Sequence, residues 1–349
     1  MKKYEQNPFT LSFGSEPVQY IARSNETREL IQKIESDPPM SHFFIISGVR
    51  GSGKTVLLTS IFNYFANQDD FVTVELNPED DLRESLAAKL YSHCLIKRLF
   101  TEKSFSFSFS GVGFSISGKN PILNIDDLLD KMFAELKKQN KKVMILIDEA
   151  TNNQYLRQFA LSSQILIRRN YDLFVVMTSL YENISSIENE KNLTFLIRSP
   201  RLILTNLNIS AIAASYAEIF SLDQSEAMEL AKLTKGYAFA YQLLGYLLFE
   251  SKEHSLSASL LGQFDQYLEE WVYRKVWDML SPVEQKILRC IQTDAPIAVA
   301  DIMKRSNMKK ESFSQYRDRL IKKGVLTATA RGQLMFALPR FSYFITSRF

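Results

Sequence analysis

An α/β core built on a parallel five-stranded sheet, followed by an α-helical region and a C-terminal unit of short helices and a β-ribbon, is the fold class this 349-residue sequence predicts. Three observations predict it. Short, nearly continuous apolar runs alternate with longer helical patterns over the first two hundred residues, the rhythm of parallel strands joined by crossover helices. Strand-like runs then stop, and amphipathic helical segments take over from Asn208. From Ser281 to the end the charge balance changes, with 13 Lys and Arg against 5 Asp and Glu, or +8, on a chain whose remainder carries −5. These shifts divide the chain into residues 1–207, 208–280 and 281–349.

Along the chain, Asp37 to Pro39 ("DPP") breaks a preceding helix and turns into a first strand at Phe43 to Ser47. Further strands are expected at Phe71 to Leu76, Val143 to Asp148, Leu173 to Thr178 and Arg201 to Leu207, each apolar enough to be buried on both faces. One segment departs from this rhythm. Ser104 to Ser117 alternates Phe with Ser on both sides of a Gly-containing turn, which predicts an inserted β-hairpin with one aromatic face. That face either packs on the flank of the sheet or is offered to a partner or a membrane surface. Helical patterns follow in "ISAIAASYAEIF", "QSEAMELAKLT", "AFAYQLLGYLLFES" and "LLGQFDQYLEEWVYRKVWDML". Ser281-Pro282 supplies an N-cap and a first-position proline for the next unit. There, three short helices and two strands around Arg331-Gly332 have the order of a winged helix, with Phe313, Tyr316 and Leu320 on the inward face of its third helix.

Composition excludes several classes. The longest strongly apolar stretch, Gly236 to Phe249, is 14 residues with a Gln inside, short of the roughly 18 that a membrane span needs. No apolar segment follows the N-terminal lysines, so a cytoplasmic chain without a secretory signal is expected. Cys94 and Cys290 lie far apart without zinc-ligand spacing and read as core thiols.

The chemistry concentrates at "GVRGSGKT", Gly48 to Thr55, between an apolar strand and a helical pattern. Such a loop cradles phosphates with backbone N–H groups, here from Gly48, Val49, Arg50, Gly51, Ser52, Gly53, Lys54, Thr55 and Val56, while Lys54 reaches the β- and γ-phosphates and Thr55 coordinates Mg²⁺. A later strand ends in Asp148 and Glu149, at the edge of a parallel sheet where ligands bind. Asp148 is expected to hold Mg²⁺ directly or through water, and Glu149 to orient or deprotonate the attacking water. Thr178, at the tip of a third strand, is placed to hydrogen-bond the γ-phosphate or that water.

The order of phosphate loop, acid-tipped strand, polar-tipped strand, helical lid and basic C-terminal unit resembles the AAA+ class. Within it, the chain is similar to the origin-recognition-like and STAND-like ATPases that carry a winged helix. The start "NPFTLSFGSEPVQYIAR", with "NETREL" after it, resembles a bacterial and archaeal group whose Gly-Arg pair lies beside the adenine; here the pair reads Ala22-Arg23. The segment "GYAFAYQLLG" resembles the family's lid, with Ala238 and Phe239 where a Pro or Arg usually touches the nucleotide. The resemblance implies an ATPase using ATP and Mg²⁺, with adenine as the base. It also implies a possible homo-oligomer in which Arg198 or Arg201 of "FLIRSPRLIL" reaches a neighbouring subunit's nucleotide, unless those arginines form local ion pairs.

The third C-terminal helix carries Lys309, Lys310, Ser314, Gln315, Arg317, Arg319, Lys322 and Lys323, which suit duplex DNA: the cations for phosphates, Gln315 for an adenine edge, and wing residue Arg331 for a minor groove. Glu311 and Asp318 oppose this, the latter softened by a pairing with Lys322 four residues on. The winged helix equally suits a protein partner, as in a signalling switch with little turnover. A small-metabolite kinase is disfavoured, because it has no use for a basic C-terminal unit.

Overall fold

The structure, a computed structural model, describes residues 6–12, 17–93, 96–97, 105–108, 115–116, 120–121, 124–251 and 255–349. It divides into two compact units. A sheet unit comprises Arg23–Ser47 and Lys54–Ile203, and a helical unit comprises Met1–Ala22, Gly48–Gly53 and Leu204–Phe349.

The sheet unit begins with α1 (Ser24–Glu35), β1 (Phe43–Ser47), α2 (Lys54–Ala66), β2 (Phe71–Leu76) and α3 (Leu82–Tyr91). After β3 (Phe105–Ser108), β4 (Ser115–Ile116) and β5 (Asn120–Pro121) come α4 (Ile125–Lys138), β6 (Lys142–Ile147), α5 (Gln154–Arg168), β7 (Leu173–Ser179), α6 (Tyr181–Glu188) and β8 (Arg201–Ile203). Five parallel strands pair in the order β2-β6-β7-β1-β8, with Ser47 of β1 opposite Ser179 of β7 and Ile147 of β6 opposite Met177 of β7. That register brings three strand tips to one edge. The central strands β1, β6 and β7 are buried almost throughout, as their apolar runs require. The same expectation fails at the sheet edges. In β2 burial alternates, leaving Thr73 and Glu75 on the open face, and in β8 Arg201 and Ile203 are exposed, because an edge strand is covered less completely. β8 also ends at Ile203 rather than Leu207: beyond it the Leu207 amide donates to Gly236 O at 2.7 Å and the Asn206 side chain to Lys235 O at 2.8 Å, within the helical unit.

Helix starts follow local chemistry. Asp81, Asn124 and Asn153 cap α3, α4 and α5 by accepting from N–H groups of the first turn. β3 and β4 pair antiparallel, Phe107 opposite Ile116, as the Phe/Ser alternation predicts, and β3 also runs parallel to β5. The turn of that hairpin and Cys94 lie outside the described residues.

The helical unit contains α7 (Ile209–Phe220), α8 (Gln224–Leu233), α9 (Ala238–Glu250) and α10 (Ala258–Leu268), which runs through a π-helical turn at Glu269–Tyr273 into α11 (Arg274–Asp278). It continues with α12 (Pro282–Arg289), β9 (Ile297–Ala298), α13 (Val299–Ser306), α14 (Lys310–Lys322), β10 (Leu326–Ala330), β11 (Gln333–Phe336) and α15 (Phe341–Arg348). Capping boxes Asp223/Glu226 and Ser281/Glu284 start α8 and α12. The last three strands form an antiparallel sheet in the order β10-β11-β9, with Gly332 in the ribbon turn. One apolar core serves the whole unit: Phe9 meets Phe220 and Tyr241 at ring distances of 5.9 and 5.6 Å, and Tyr273 meets Phe341 edge-on at 4.9 Å. The apolar stretch around α9 is buried in that core, and among the described residues no helix is long and apolar enough to cross a membrane. Cys290 is half-buried rather than enclosed, with its thiol donating to Lys286 O at 3.3 Å.

Candidate functional site

The loop Gly48–Gly53 is shaped by glycine. Ser52 N–H closes a turn on Val49 O at 3.1 Å, and Gly51 sits third in that turn at φ +74°, where a type II turn needs glycine. Gly53 follows at φ +89°. A side chain at Gly51 would also strike Tyr237, whose hydroxyl oxygen lies 2.2 Å from the Cβ position. Two donors from the segment leading into α9 hold the carbonyls of this turn. The Tyr237 hydroxyl donates to Arg50 O, and Phe239 N–H donates to Gly51 O at 3.0 Å. Val49 packs against Gly324, where a Cβ would come within 3.0 Å of it.

Lys54 and Thr55 open α2 in the sheet unit; Lys54 is buried, while Thr55 and Val56 are half-buried. The Thr55 hydroxyl donates to Asp148 Oδ2 at 2.8 Å, so the first residues of α2 and the tip of β6 converge on one carboxylate. Asp148 Oδ1 accepts from the Thr178 hydroxyl and from Glu149 N–H at 3.1 Å. Thr178 is wholly enclosed, and its oxygen also accepts from Glu149 N–H at 3.0 Å. Its hydroxyl is therefore hydrogen-bonded to both members of the acid pair. The β6 tip turns sharply: Glu149 has φ 54°, a left-handed conformation rare outside glycine, and its side chain is exposed. Ala150 N–H donates to Thr178 O at 2.8 Å and the Ser179 hydroxyl to Ala150 O at 2.5 Å, which pins the turn to β7.

Other sequence candidates are more dispersed. Ala22 is exposed. Arg23 is largely enclosed; burial lowers its guanidinium pKa, against an opposing ion pair with Glu26 at 3.3 Å. Arg201 is ion-paired with Glu188, whereas Arg198 is exposed at the end of a 3₁₀ turn, Lys191–Arg198.

Residues 23–150 match the KAP family P-loop domain, and residues 270–345 match a domain of unknown function, DUF8462. No curated relative matches the chain. Among solved structures, the Walker-type ATPase of Pyrococcus abyssi is similar over 97% of this chain and 99% of its own, at 15% identity and a TM-score of 0.63. The ORC2 protein of Aeropyrum pernix, solved in ADPNP-ADP complexes, is similar over 96% of each chain at 14% identity and a TM-score of 0.58. Cdc6p of Pyrobaculum aerophilum follows, over 96% of each chain at 13% identity and a TM-score of 0.50. The fold is that of an origin-recognition-like AAA+ P-loop ATPase.

Within the helical unit the C-terminal candidates have unequal standing. Lys309, Lys310, Gln315 and Arg331 are exposed. The Ser314 hydroxyl donates to Lys310 O at 2.8 Å. Arg317 is forked onto Asp318, at 3.0 Å from Nε and 2.8 Å from its terminal nitrogen, so Asp318 cancels the charge of the neighbouring arginine. Arg319 lies over the Tyr316 ring at 5.6 Å. Lys323 is not a surface cation: it is 11% exposed and paired at 3.0 Å with Glu284, which is 2% exposed. Burial opposes ionisation of Glu284, but hydrogen bonds from Ser281 and Lys323 outweigh it and hold the carboxyl below its ordinary value. Sequence reasoning also missed Tyr237. It lies in an apolar helical pattern, and no spacing distinguishes a tyrosine that packs from one whose hydroxyl holds a loop carbonyl.

Proposed function

We propose that the protein is a cytoplasmic ATPase that couples binding and hydrolysis of Mg-ATP to the placement of a C-terminal winged helix on double-stranded DNA. The convergence of the Thr55 hydroxyl and the Asp148 carboxylate at 2.8 Å, at the end of a phosphate-loop sequence, carries this reading. A hydroxyl and a carboxylate are hard oxygen donors of the kind Mg²⁺ takes alongside nucleotide phosphates, so these residues fit the ion and would hold it. When bound, the ion neutralises charge on the phosphate oxygens. The loop amides from Gly48 to Val56, apart from the Ser52 N–H that closes on Val49 O, and the Lys54 ammonium bind the phosphates, with Ala22 and Arg23 beside the base. Glu149, exposed beyond the strand tip, orients the attacking water and accepts its proton. Thr178 acts on this chemistry through Asp148, whose carboxylate it holds in place. In a homo-oligomer the exposed Arg198 would reach the nucleotide of a neighbouring subunit.

The helix, strand, two helices and ribbon from α12 to β11 support the winged-helix reading. The exposed Lys309, Lys310, Gln315 and Arg331 support a DNA partner, with Ser314 and Arg317 on the same helix. One observation favours a second reading, a slow STAND-like switch whose winged helix docks on protein. Asp318 neutralises Arg317, and Lys323 is turned inward, so the third helix is less basic than its composition. ATP hydrolysis with and without duplex DNA, across a salt series, separates the two. Stimulation that weakens as salt rises, and that is absent in Lys54→Ala, supports the DNA reading. Unchanged turnover with DNA at low salt overturns it in favour of the switch.

A further inference from the structure

We infer that Tyr237 is a positioning residue for phosphate binding: its hydroxyl, with Phe239 N–H, clamps the phosphate-loop turn from outside and pre-orients its amides. The inference rests on the nucleotide-binding reading above. A trans peptide points its C=O and the next N–H in opposite directions. The Arg50 carbonyl is held by the Tyr237 hydroxyl, so the Gly51 N–H must face away from Tyr237, toward the side left for an anion. Phe239 N–H holds the next carbonyl, Gly51 O, at 3.0 Å, and Ser52 N–H is closed on Val49 O at 3.1 Å. The Arg50 and Gly51 carbonyls and the Ser52 N–H are thus committed before any phosphate arrives, and less backbone freedom remains to be lost on binding.

The clamp is itself rigidly mounted. Tyr237 is 1% exposed, so its hydroxyl has no water to exchange with, and burial pushes its pKa far above the ordinary value, keeping the proton for donation. The preceding residues are tethered: Lys235 donates to Asp294 Oδ1 at 3.0 Å and to Phe336 O at 3.1 Å, and the Gly236 carbonyl accepts from Leu207 N–H at 2.7 Å. Asp294 precedes β9, and Phe336 is the last residue of β11. The turn that carries Tyr237 is therefore fastened to the C-terminal elements, and the phosphate loop inherits their position. Gly51 completes the design, because a side chain there would occupy the place of the Tyr237 hydroxyl.

The test uses the full chain, titrated calorimetrically with Mg-ADP, with steady-state ATP turnover measured alongside. Tyr237→Phe keeps the ring and removes one hydroxyl. Tyr216→Phe is the matched control, since the Tyr216 hydroxyl also donates to a carbonyl in the same core, Tyr241 O at 2.7 Å, away from the loop. The expected result is a roughly tenfold loss of Mg-ADP affinity and a matching rise in KM for ATP in Tyr237→Phe, with kcat within about twofold, because a pre-oriented amide aids ground state and transition state alike. Tyr216→Phe should leave affinity unchanged. Equal Mg-ADP affinity in Tyr237→Phe and wild type, with binding lost in Lys54→Ala, overturns the inference and leaves the nucleotide reading standing. So does an equal loss in both tyrosine variants, which would make the effect one of core stability. Absence of Mg-ADP binding by the wild type overturns the nucleotide reading and the clamp together.

Discussion

The sheet unit and the helical unit place their polar groups in opposite ways. In the sheet unit the strand interiors are apolar, and Ser47, Thr178 and Ser179 lie buried at the ends of parallel strands, with Thr55 bonded to Asp148 and Thr178 to both members of the acid pair that follows β6. In the helical unit, charges are dispersed through the packing and neutralised in pairs that join distant parts of the chain: Lys323 with Glu284, Lys235 with Asp294, Arg340 with Asp265. Polar groups can be concentrated at a sheet edge because the parallel register delivers them there. Buried charges in a helix bundle instead need a specific partner, and their removal is felt as stability.

The largest effect that would sharpen this contrast lies at the sheet edge. Glu149→Gln should lower ATP turnover by about 10³ while Mg-ATP still binds, as loss of a general base does. Turnover and equilibrium binding measured on one preparation check this. Preserved turnover would remove Glu149 from the chemistry and weaken the view that the strand tips are a catalytic cluster.

In the helical unit the matching experiment is on stability. Glu284→Ala removes the carboxylate paired with the largely enclosed Lys323 ammonium and should destabilise the protein by about 3 kcal/mol in denaturant unfolding. The pH dependence has a fixed sign. The folded Glu284 carboxyl is held below its ordinary value, so its contribution is fully present above about pH 4.3 and is lost as pH falls through the folded value. The stability gap between wild type and Glu284→Gln should therefore narrow in acid. A constant gap would mean that the pair contributes packing alone.

A smaller effect separates orienting from contacting groups. Thr178→Val keeps the shape of a β-branched residue in a fully buried position and removes the hydroxyl that holds Asp148. The Mg²⁺ concentration for half-maximal turnover should rise about 10- to 100-fold, the usual cost of losing a group that orients a metal ligand. An unchanged Mg²⁺ dependence with reduced kcat would return Thr178 to the role of contacting phosphate or water.

The same contrast explains what could be read from the sequence. β1 and β2 match their apolar runs residue for residue, and β6 and β7 fall within one residue; for β1, β6 and β7 the reason is that a strand crossing a sheet interior must be apolar along its length, whereas in the edge strand β2 only Val72, Val74 and Leu76 are buried. Thr55 and Asp148 were identifiable because the loop spacing and the strand tip fix their places before any contact is known. β8 was read four residues too long, since an edge strand imposes a weaker pattern and "LTNL" satisfies it. Lys323 looked like a surface cation and Tyr237 like a packing residue, because their partners Glu284 and Arg50 lie 39 and 187 positions away. The Arg317 fork onto Asp318 at 2.8 Å was not legible either, because adjacent helix positions carry no spacing signal and the contact is set by side-chain geometry. The two-residue strand β9 is too short to show any period.

The smallest expected effect bears on the partner. In α14 the Arg317–Asp318 pair is solvent-exposed, so its own contribution to stability is small, and its consequence for binding lies in the charge it cancels. Asp318→Asn should leave the unfolding midpoint nearly unchanged while releasing Arg317 toward an anion. If the helix lies against duplex DNA, removing one negative charge and freeing one cation should tighten binding by about two- to fivefold in low salt and steepen the salt dependence by about one released ion. If the helix instead docks on protein through a partner's basic surface, the same change should weaken that complex and leave DNA binding at its wild-type level. The sign of the effect, more than its size, decides whether the dispersed charges of the helical unit serve only to hold it together or also to address a polyanion.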